Sequence, residues 1–360
     1  MSEAASIARR ARTTRRTIMR ARGRIVVALL AVAASTAVAA SARAQRGAPA
    51  RTTATPTVDT LRFWSQALGT TKGALVYLPP SYRTDRTRRY PVLYYLHGLW
   101  GNETNWSAQG ALPATMDSLA HAGRGEAIVV MPDGDDGWYT TWHALLDIGV
   151  CRRDTVRTEP AASYCVPWPH YDDYIAHDLV TAIDRGFRTH ADRAHRAIGG
   201  LSMGGFGAVT LALRYPDRFV AAASHSGVLM PRYRAPHPYA TPVSLARNST
   251  ELRDGMGRLW PLVAPVFGAD TLGWARREPA WLLEQAVARG PLPALFIDCG
   301  TDDGLINQSR AFRALLAARS IPHQYAEWPG VHDWAYWRLH VRESAAWLLQ
   351  HVTSSEQRAR

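Results

Sequence analysis

Residues Gly200 to Gly204 read Gly-Leu-Ser-Met-Gly and lie between an apolar run ending at Ile198 and a segment of helical periodicity that continues through Leu213. A strand that turns sharply into a helix needs small residues beside the turn, and the two glycines meet this need. Such a turn lifts the serine hydroxyl out of the sheet. The pattern predicts a strand–turn–helix unit with Ser202 as a nucleophile; a helix-capping serine is the structural alternative.

Two further motifs follow along the chain. Asp302 and Asp303 lie in Cys-Gly-Thr-Asp-Asp-Gly, and His332 lies in Gly-Val-His-Asp-Trp. A serine nucleophile needs a histidine to accept its proton and a carboxylate to orient that histidine. The chain order serine, aspartate, histidine is the order of α/β hydrolases. Together the three motifs predict a serine hydrolase site.

Apolar runs typical of strands alternate with segments of helical period. The predicted strands are Gly73–Leu78, Pro91–Leu96, Ala127–Met131, Ala194–Gly199, Phe219–Ser224, Ala294–Cys299 and Gln324–Trp328. The predicted helices are Leu112–Ala122, Tyr174–Phe187, Gly205–Tyr215, Gln308–Arg319 and Arg338–His351. This alternation predicts an α/β fold, with a mostly parallel central sheet, helices on both faces and a ligand site at the carboxyl ends of the strands.

The first 44 residues predict an export signal. Eight arginines in residues 1–24 precede an uncharged run over 25–41, which closes in Ala-Arg-Ala before Gln45. We predict cleavage after Ala44, and residues 14–19 also resemble a twin-arginine signal. The apolar run is shorter than the about 20 residues of a membrane span, so a retained anchor is the less favoured alternative.

The charge of the remaining chain does not indicate a nucleic-acid partner. Residues 1–44 carry nine arginines and one glutamate, so their removal lowers the formal charge from +12 to +4. The chain has one lysine, and its arginines are dispersed among acids, which predicts no basic patch. Residues 45–57, rich in Ala, Thr and Pro, predict a flexible lead-in, and residues 58–353 predict a single domain.

The three cysteines fit an exported protein. Cys151 and Cys165 lie 14 positions apart in a polar stretch, which predicts a disulfide that pins one loop. Cys299 ends an apolar run and is expected to be a buried, unreactive side chain. No grouping of cysteine and histidine has zinc spacing, so we expect no metal and no cofactor.

Six motifs occur in one order along the chain: Tyr90-Pro-Val-Leu-Tyr-Tyr-Leu-His-Gly, Gly101-Asn-Glu-Thr-Asn-Trp, Met131-Pro-Asp-Gly, Gly200-Leu-Ser-Met-Gly-Gly, Cys299-Gly-Thr-Asp-Asp and Gly330-Val-His-Asp-Trp. In these motifs the chain resembles the putative esterase family of α/β hydrolases. That family includes esterase D (S-formylglutathione hydrolase), bacterial feruloyl and acetyl-xylan esterases, and the antigen 85 mycolyltransferases. The resemblance covers most of residues 60–350 and implies the α/β-hydrolase fold and a cofactor-free esterase.

The resemblance implies a role for each residue of the site. Ser202 would attack the ester carbonyl, and His332 would take its proton and return it to the leaving alcohol. Asp303 matches the fourth position of the family's Gly-x-x-Asp turn and would orient the imidazole, with Asp302 as the alternative.

The family stabilises the oxyanion with two backbone N–H groups, which here would belong to Leu99 and Met203. His97, which precedes the first of these donors, is expected to be structural.

Two segments, residues 139–170 and 228–290, depart from the compact family pattern and are expected above the active site. Four aromatic residues near the first segment could stack on a sugar or aromatic ring: Trp138, Tyr139, Trp142 and Trp168. Because the chain contains 13 tryptophans, packing is the alternative explanation for each of them.

The sequence therefore predicts a secreted or periplasmic serine carboxylesterase that acts through an acyl-enzyme. Its expected partner is a small-molecule or carbohydrate-linked ester, such as a feruloyl or acetyl ester. A mycolyl-type acyltransferase and a non-catalytic carbohydrate-binding module on the same fold are the alternatives. Export argues against a dedicated S-formylglutathione hydrolase, whose substrate is cytosolic.

Overall fold

The computed structural model describes residues 56–153, 160–234 and 243–352. Its centre is an eight-stranded sheet in the order β1-β2-β4-β3-β5-β6-β7-β8. The strands are β1 (Thr57–Ser65), β2 (Thr70–Leu78), β3 (Val92–Leu96), β4 (Ile128–Pro132), β5 (Arg196–Leu201), β6 (Ala221–His225), β7 (Ala294–Gly300) and β8 (His323–Trp328). Strands β1, β2 and β4 pair antiparallel, and all other neighbours are parallel. The predicted mostly parallel sheet is confirmed.

Helices connect the strands on both sides of the sheet. The α-helices are α1 (Asn105–Ala108), α2 (Leu112–His121), α3 (Ile148–Cys151), α4 (Ala161–Tyr164), α5 (Tyr171–Asp173), α6 (Val180–Gly186), α7 (Met203–Arg214), α8 (Ser249–Met256), α9 (Trp260–Phe267), α10 (Thr271–Ala275), α11 (Pro279–Val287), α12 (Ile306–Ala318) and α13 (Trp334–Val352). A π-helical segment, Tyr174–Leu179, joins α5 to α6, and short 3₁₀ turns occur at Pro80–Tyr82, Arg193–His195 and Gly257–Leu259. Among the described residues, none of the helices has the length and apolar character needed to cross a membrane.

The core lies on both faces of the sheet, as expected for parallel strands. In β3, Tyr94 and Leu96 face one apolar cluster together with α7, whereas Leu93 and Tyr95 face a second cluster with α2 and α13. This alternation follows the two-residue period of a strand. Because both faces are covered, the carboxyl edge of the parallel strands is the part of the sheet left open for a site.

All seven predicted strands and all five predicted helices are present, with shifted ends. Strand β1 was not predicted, because it is an edge strand whose three contributions to the core, Val58, Leu61 and Phe63, are only partly buried. The segment 228–290 shows no clear sequence pattern, yet it contains helices α8 to α11. Each of these has at most nine residues, which is too short for helical periodicity to stand out in sequence. The predicted export signal and nearly all of the lead-in lie outside the described residues.

Candidate active site

Ser202 lies at the sharp turn between β5 and α7. Its φ of 53° is a conformation that a non-glycine residue adopts only when the surrounding structure holds it. A Cβ atom at Gly200 would lie 2.4 Å from the Gly204 carbonyl oxygen, and one at Gly204 would lie 2.3 Å from that of Leu96. Both positions therefore require glycine, and the predicted strand–turn–helix unit is confirmed. The Ser202 N–H donates to the carbonyl of His225, which fixes the turn to β6.

Three residues that are distant in sequence come together at this turn. Ser202 Oγ lies 2.9 Å from His332 Nε2, and His332 Nδ1 lies 2.8 Å from Asp303 Oδ2. The Asp303 side chain is fully buried, whereas 36% of the His332 side chain is exposed. A line of hydrogen bonds thus leads from a buried carboxylate to a half-buried serine hydroxyl. In this arrangement the Asp303 carboxylate accepts from Nδ1, which leaves Nε2 free to accept the serine proton.

Asp302 and Asp303 are adjacent in sequence but have different surroundings. Asp302 is exposed and accepts a hydrogen bond from the Thr301 hydroxyl. Burial by itself would raise the pKa of Asp303, but the hydrogen bond and charge of His332 and the N–H of Leu305 outweigh it and hold that pKa below the usual 3.8. Asp303 is therefore the acid that contacts His332, and it stays ionised at neutral pH.

The backbone segments that carry the two predicted oxyanion donors lie beside Ser202. Met203 is the first residue of α7, where a backbone N–H has no acceptor within the helix. On the other side, a Cβ atom at Gly98 would lie only 3.5 Å from the Ser202 Cβ, so the turn after β3 packs directly against the serine. Leu99 follows in that turn. The arrangement brings both backbone segments to the serine, as an oxyanion hole requires.

His97 holds the turn that carries Leu99. Its Nδ1 donates to the Gly98 carbonyl at 2.8 Å, and its Nε2 accepts the Gly134 N–H at 2.9 Å. Because a peptide group is planar, fixing the Gly98 carbonyl also fixes the direction of the Leu99 N–H. Burial lowers the pKa of His97 despite the nearby Asp133, so the ring stays neutral and keeps both bonds. The predicted structural role of His97 is confirmed.

A buried cluster around Lys72, the lysine on β2, supports the Asp133–Gly134 turn. Lys72 Nζ lies 2.7 Å from Asp133 and 2.8 Å from Asp135, and it donates to the Ser163 carbonyl at 3.1 Å. The lysine thus ties the turn after β4 to the loop that contains the cysteine pair. This link was not predicted, although the chain's single lysine, placed two residues before an apolar strand segment, was a usable signal.

A second serine–histidine–aspartate set lies beneath the site and was not predicted. His225 Nε2 lies 2.7 Å from Ser344 Oγ, and its Nδ1 lies 2.7 Å from Asp298 Oδ2. All three side chains are fully buried. The Tyr95 and Tyr336 hydroxyls also bond to this set, at Ser344 and Asp298 respectively. Because no substrate can reach it, this set is a structural network that joins β6, β7 and α13.

Two of the four predicted substrate contacts are wrong, because Trp138 and Tyr139 are core residues. Tyr139 has no exposed surface, and its hydroxyl donates to the His97 carbonyl. Trp138 packs edge-on against Phe206 and Phe267. Their aromatic surface is used in packing around α7, so it is not free to stack on a ligand.

The other two predicted contacts remain accessible. Trp142 is half-buried and stacks on Tyr171, while its indole N–H donates to the Gly137 carbonyl. Trp168 is 54% exposed and lies beside Gly69, at the turn between β1 and β2. That turn is on the antiparallel side of the sheet, three strands from β5.

The predicted disulfide between Cys151 and Cys165 is present. Cys299 is buried and unpaired, as predicted, and burial raises the pKa of its thiol. Within the described ranges, no group of three or more histidine, cysteine, aspartate or glutamate side chains has a geometry suited to a metal ion.

Comparisons with known proteins show the family to which the chain belongs. The sequence profile of the family described as "Putative esterase" matches residues 65–348. The chain is 31% identical over 287 residues to Esterase Rv1288 of Mycobacterium tuberculosis, covering 75% of this chain and 54% of that protein. It is 24% identical over 294 residues to an acetyl esterase of Caldicellulosiruptor saccharolyticus, covering 80% and 96%. The chain thus spans about half the length of the mycobacterial relative.

Solved structures share the fold at lower identity. A ferulic acid esterase superposes with a TM-score of 0.60 at 24% identity, covering 82% of this chain and 98% of the other. MPT51 of Mycobacterium tuberculosis superposes with a TM-score of 0.58 at 19% identity, covering 82% and 99%. These likenesses confirm the predicted α/β-hydrolase fold.

Proposed function

Because the chain belongs to the putative esterase family of α/β hydrolases, as its six motifs predict, we propose that it is a serine carboxylesterase. The observation that carries this proposal is the line of hydrogen bonds from Asp303 through His332 to Ser202, with distances of 2.8 and 2.9 Å. A histidine oriented by a buried carboxylate and in contact with a strained, accessible serine is the arrangement that activates a hydroxyl as a nucleophile.

In the first half of the reaction, Ser202 Oγ attacks the ester carbonyl while its proton passes to His332 Nε2. Asp303 stabilises the imidazolium that forms, because its carboxylate accepts the Nδ1–H. The negative charge that develops on the carbonyl oxygen is stabilised by the N–H groups of Leu99 and Met203. His332 then returns the proton to the leaving alcohol, and an acyl-enzyme on Ser202 remains.

In the second half, water replaces the alcohol. His332 Nε2 takes a proton from the water as the oxygen attacks the acyl carbonyl, and the same two N–H groups stabilise the second oxyanion. Collapse of this intermediate breaks the bond to Ser202 Oγ, which recovers its proton from His332. The products are a carboxylic acid and the free enzyme.

Export and a carbohydrate-linked ester complete the proposal. Two sequence features support export: the arginine-rich leader with its Ala-Arg-Ala ending, and the pair Cys151–Cys165, since disulfides persist outside the cytosol. A xylanase/feruloyl esterase of Xylanibacter ruminicola, 33% identical over 166 residues that cover 45% of this chain and 20% of that protein, supports an acyl group of the feruloyl kind. The named acetyl esterase supports a smaller acyl group.

The purified protein should be assayed on p-nitrophenyl acetate, a feruloyl sugar ester and a sugar acetate, beside labelling by a fluorophosphonate probe. We expect hydrolysis of at least one ester and labelling of Ser202. A protein that neither turns over these esters nor reacts with the probe would not be a serine esterase, and would fit the carbohydrate-binding alternative. N-terminal sequencing of the protein recovered outside the cytosol tests export, with Gln45 as the expected first residue.

A further inference from the structure

A cavity of about 460 Å³ lies away from Ser202, beside the far end of α7. Three short stretches line it: Thr140 to His143 after β4, Asp270 to Arg277 around α10, and Arg214 at the last turn of α7. Helix α7 has 12 residues, so at 1.5 Å per residue the Arg214 Cα lies about 18 Å from that of Ser202, which is not among the residues that line the cavity. The first two stretches belong to the segments expected above the active site, but here they pack beside α7 instead.

Three arginines are among the residues that line this cavity: Arg214, Arg276 and Arg277. Arg277 is half-buried and donates to two neutral acceptors, the carbonyls of Thr141 at 2.9 Å and Gly273 at 3.0 Å. In the described part of the chain, no carboxylate oxygen lies within 4.0 Å of the Arg276 or Arg277 guanidinium. Among the described residues, Arg277 therefore forms no ion pair within 4.0 Å, although the charges of Asp172 and Asp270 act on it from farther away.

Two acids whose charges act on Arg277, Asp172 and Asp270, already have other partners. Asp172 is buried, accepts the Thr141 hydroxyl at 2.6 Å with one oxygen and lies 3.6 Å from Arg214 with the other. Asp270 is exposed and caps α10 by accepting the Gly273 N–H. Burial, and next the charge of Arg214, lower the pKa of Arg277, which is the direction expected where positive charges crowd.

A partly desolvated charge without a partner is costly, and a bound anion would relieve that cost. Guanidinium groups are matched to anions with two or more oxygens, because parallel N–H groups bind two oxygens at once. Thr140 and His143 add polar residues to the same wall, whereas the Thr141 hydroxyl already donates to Asp172. The volume lies at the lower end of the range for small-molecule sites, which suits a ligand of one sugar ring or less.

We propose that the cavity lined by Arg214, Arg276 and Arg277 binds an oxyanion of this size, either the carboxylate of a sugar acid or a phosphate. The site is separate from the reacting centre, so its occupation does not depend on Ser202. The protein would therefore bind an acidic ligand at this cavity whether or not an ester is cleaved at Ser202.

Calorimetric titration at low ionic strength tests the proposal with three probes: glucuronate, inorganic phosphate and glucose as the neutral control. We expect saturable binding of one or both anions and none of glucose, with affinity falling as salt is added. Binding of glucuronate alone identifies a carboxylate site, and binding of phosphate alone identifies a phosphate site. No saturable binding of either anion at millimolar concentration would overturn the proposal.

Matched variants locate the binding. Arg276→Gln and Arg277→Gln should each weaken it by about tenfold or more, since each variant loses a charge-assisted hydrogen bond to the anion. Arg319→Gln is the control, because Arg319 pairs with Glu284 elsewhere on the surface. If Arg277→Gln does not fold, the exposed Arg276 decides the result. Equal affinity in Arg276→Gln and in the control would place the anion elsewhere and reject the site.

Discussion

Ser202 and Ser344 each contact a histidine that is paired with an aspartate, but they differ in access to solvent. Ser202 is half-buried at the carboxyl edge of the sheet, whereas Ser344 is fully buried between β6 and α13. Both sets contain the same three residue types, so residue identity does not distinguish them. A reactive serine also needs access to substrate and nearby N–H donors for the oxyanion. This comparison supplies an internal control for the proposed mechanism.

Ser202→Ala and His332→Ala should each reduce kcat for a p-nitrophenyl ester by about 10³-fold or more, because the two residues transfer one proton together. Ser344→Ala should keep kcat but lower the free energy of unfolding by about 1–3 kcal/mol, since buried groups of His225 and Tyr95 lose a partner. Steady-state kinetics and urea unfolding measure both effects. A Ser202→Ala variant that keeps a tenth of the activity would reject the assignment.

Asp303→Asn should reduce kcat by about 10³- to 10⁴-fold, because an amide can donate to His332 Nδ1 and hold the ring in the wrong tautomer. Asp302→Asn should change kcat far less, since Asp302 is exposed and bonds to Thr301. The two variants differ by one position in sequence and carry the same chemical change. Reversed magnitudes in the same kinetic assay would transfer the role to Asp302.

At the scale of elements, the loop that contains the disulfide is also attached to β2 by hydrogen bonds. Thr70 Oγ1 donates to the Ala162 carbonyl at 2.8 Å, and Lys72 Nζ donates to that of Ser163. The same lysine supports the turn after β4 that bonds to His97. The bridge therefore restrains a loop that is already anchored, while Ser202, Asp303 and His332 are carried by other segments.

A Cys151→Ser/Cys165→Ser double variant should fold and keep its kcat on a small activated ester. Its free energy of unfolding should fall by about 3 kcal/mol, the value expected for a loop of this length. The KM for a larger ester should rise as the loop loosens. Thiol titration of the denatured, unreduced wild type should find one free thiol, that of Cys299; three free thiols would show that the bridge does not form.

At the scale of the whole molecule, the Lys72 cluster makes stability depend on pH. One lysine faces two carboxylates, and burial raises the pKa of Asp135 to about 6, despite Lys72, whereas Asp133 keeps a lowered pKa because Lys72 outweighs its burial. The folded protein thus binds the Asp135 proton more tightly than the unfolded chain, whose pKa is near 3.8. This contribution to stability is fully present below pH 3.8 and is lost as the pH rises through 6.

Asp135→Asn should remove that pH dependence. Between pH 7 and pH 4 the free energy of unfolding of the wild type should rise relative to that of the variant, by up to about 3 kcal/mol. Urea unfolding at several pH values measures the difference. Parallel stability profiles for the two proteins would contradict the raised pKa. Lys72→Met provides a further check, because loss of the lysine leaves two buried carboxylates unpaired and should destabilise the fold at neutral pH.

The fold class, the turn at Ser202 and the choice of His332 as the histidine that contacts it could all be predicted from local sequence patterns. Each of these rests on local information: glycines within two positions of the serine, apolar runs of strand length, and short motifs that follow parallel strands. Because parallel strands end at one edge of the sheet, motifs at those ends meet in space without any knowledge of the packing. Export and the domain boundaries rest on the same kind of pattern and stay predictions.

Which side chains lie at the site and which are buried could not be predicted from local patterns, because it depends on packing between distant segments. Asp302 and Asp303 are chemically identical, so only the position of the turn relative to His332 separates them. Trp138 and Tyr139 are residue types that often stack on sugars, but here they are buried against α7. The set around His225 and the cavity between Arg214 and Arg277 join residues more than 60 positions apart. Burial and contact between such residues depend on the packing of the whole chain, which no local pattern encodes.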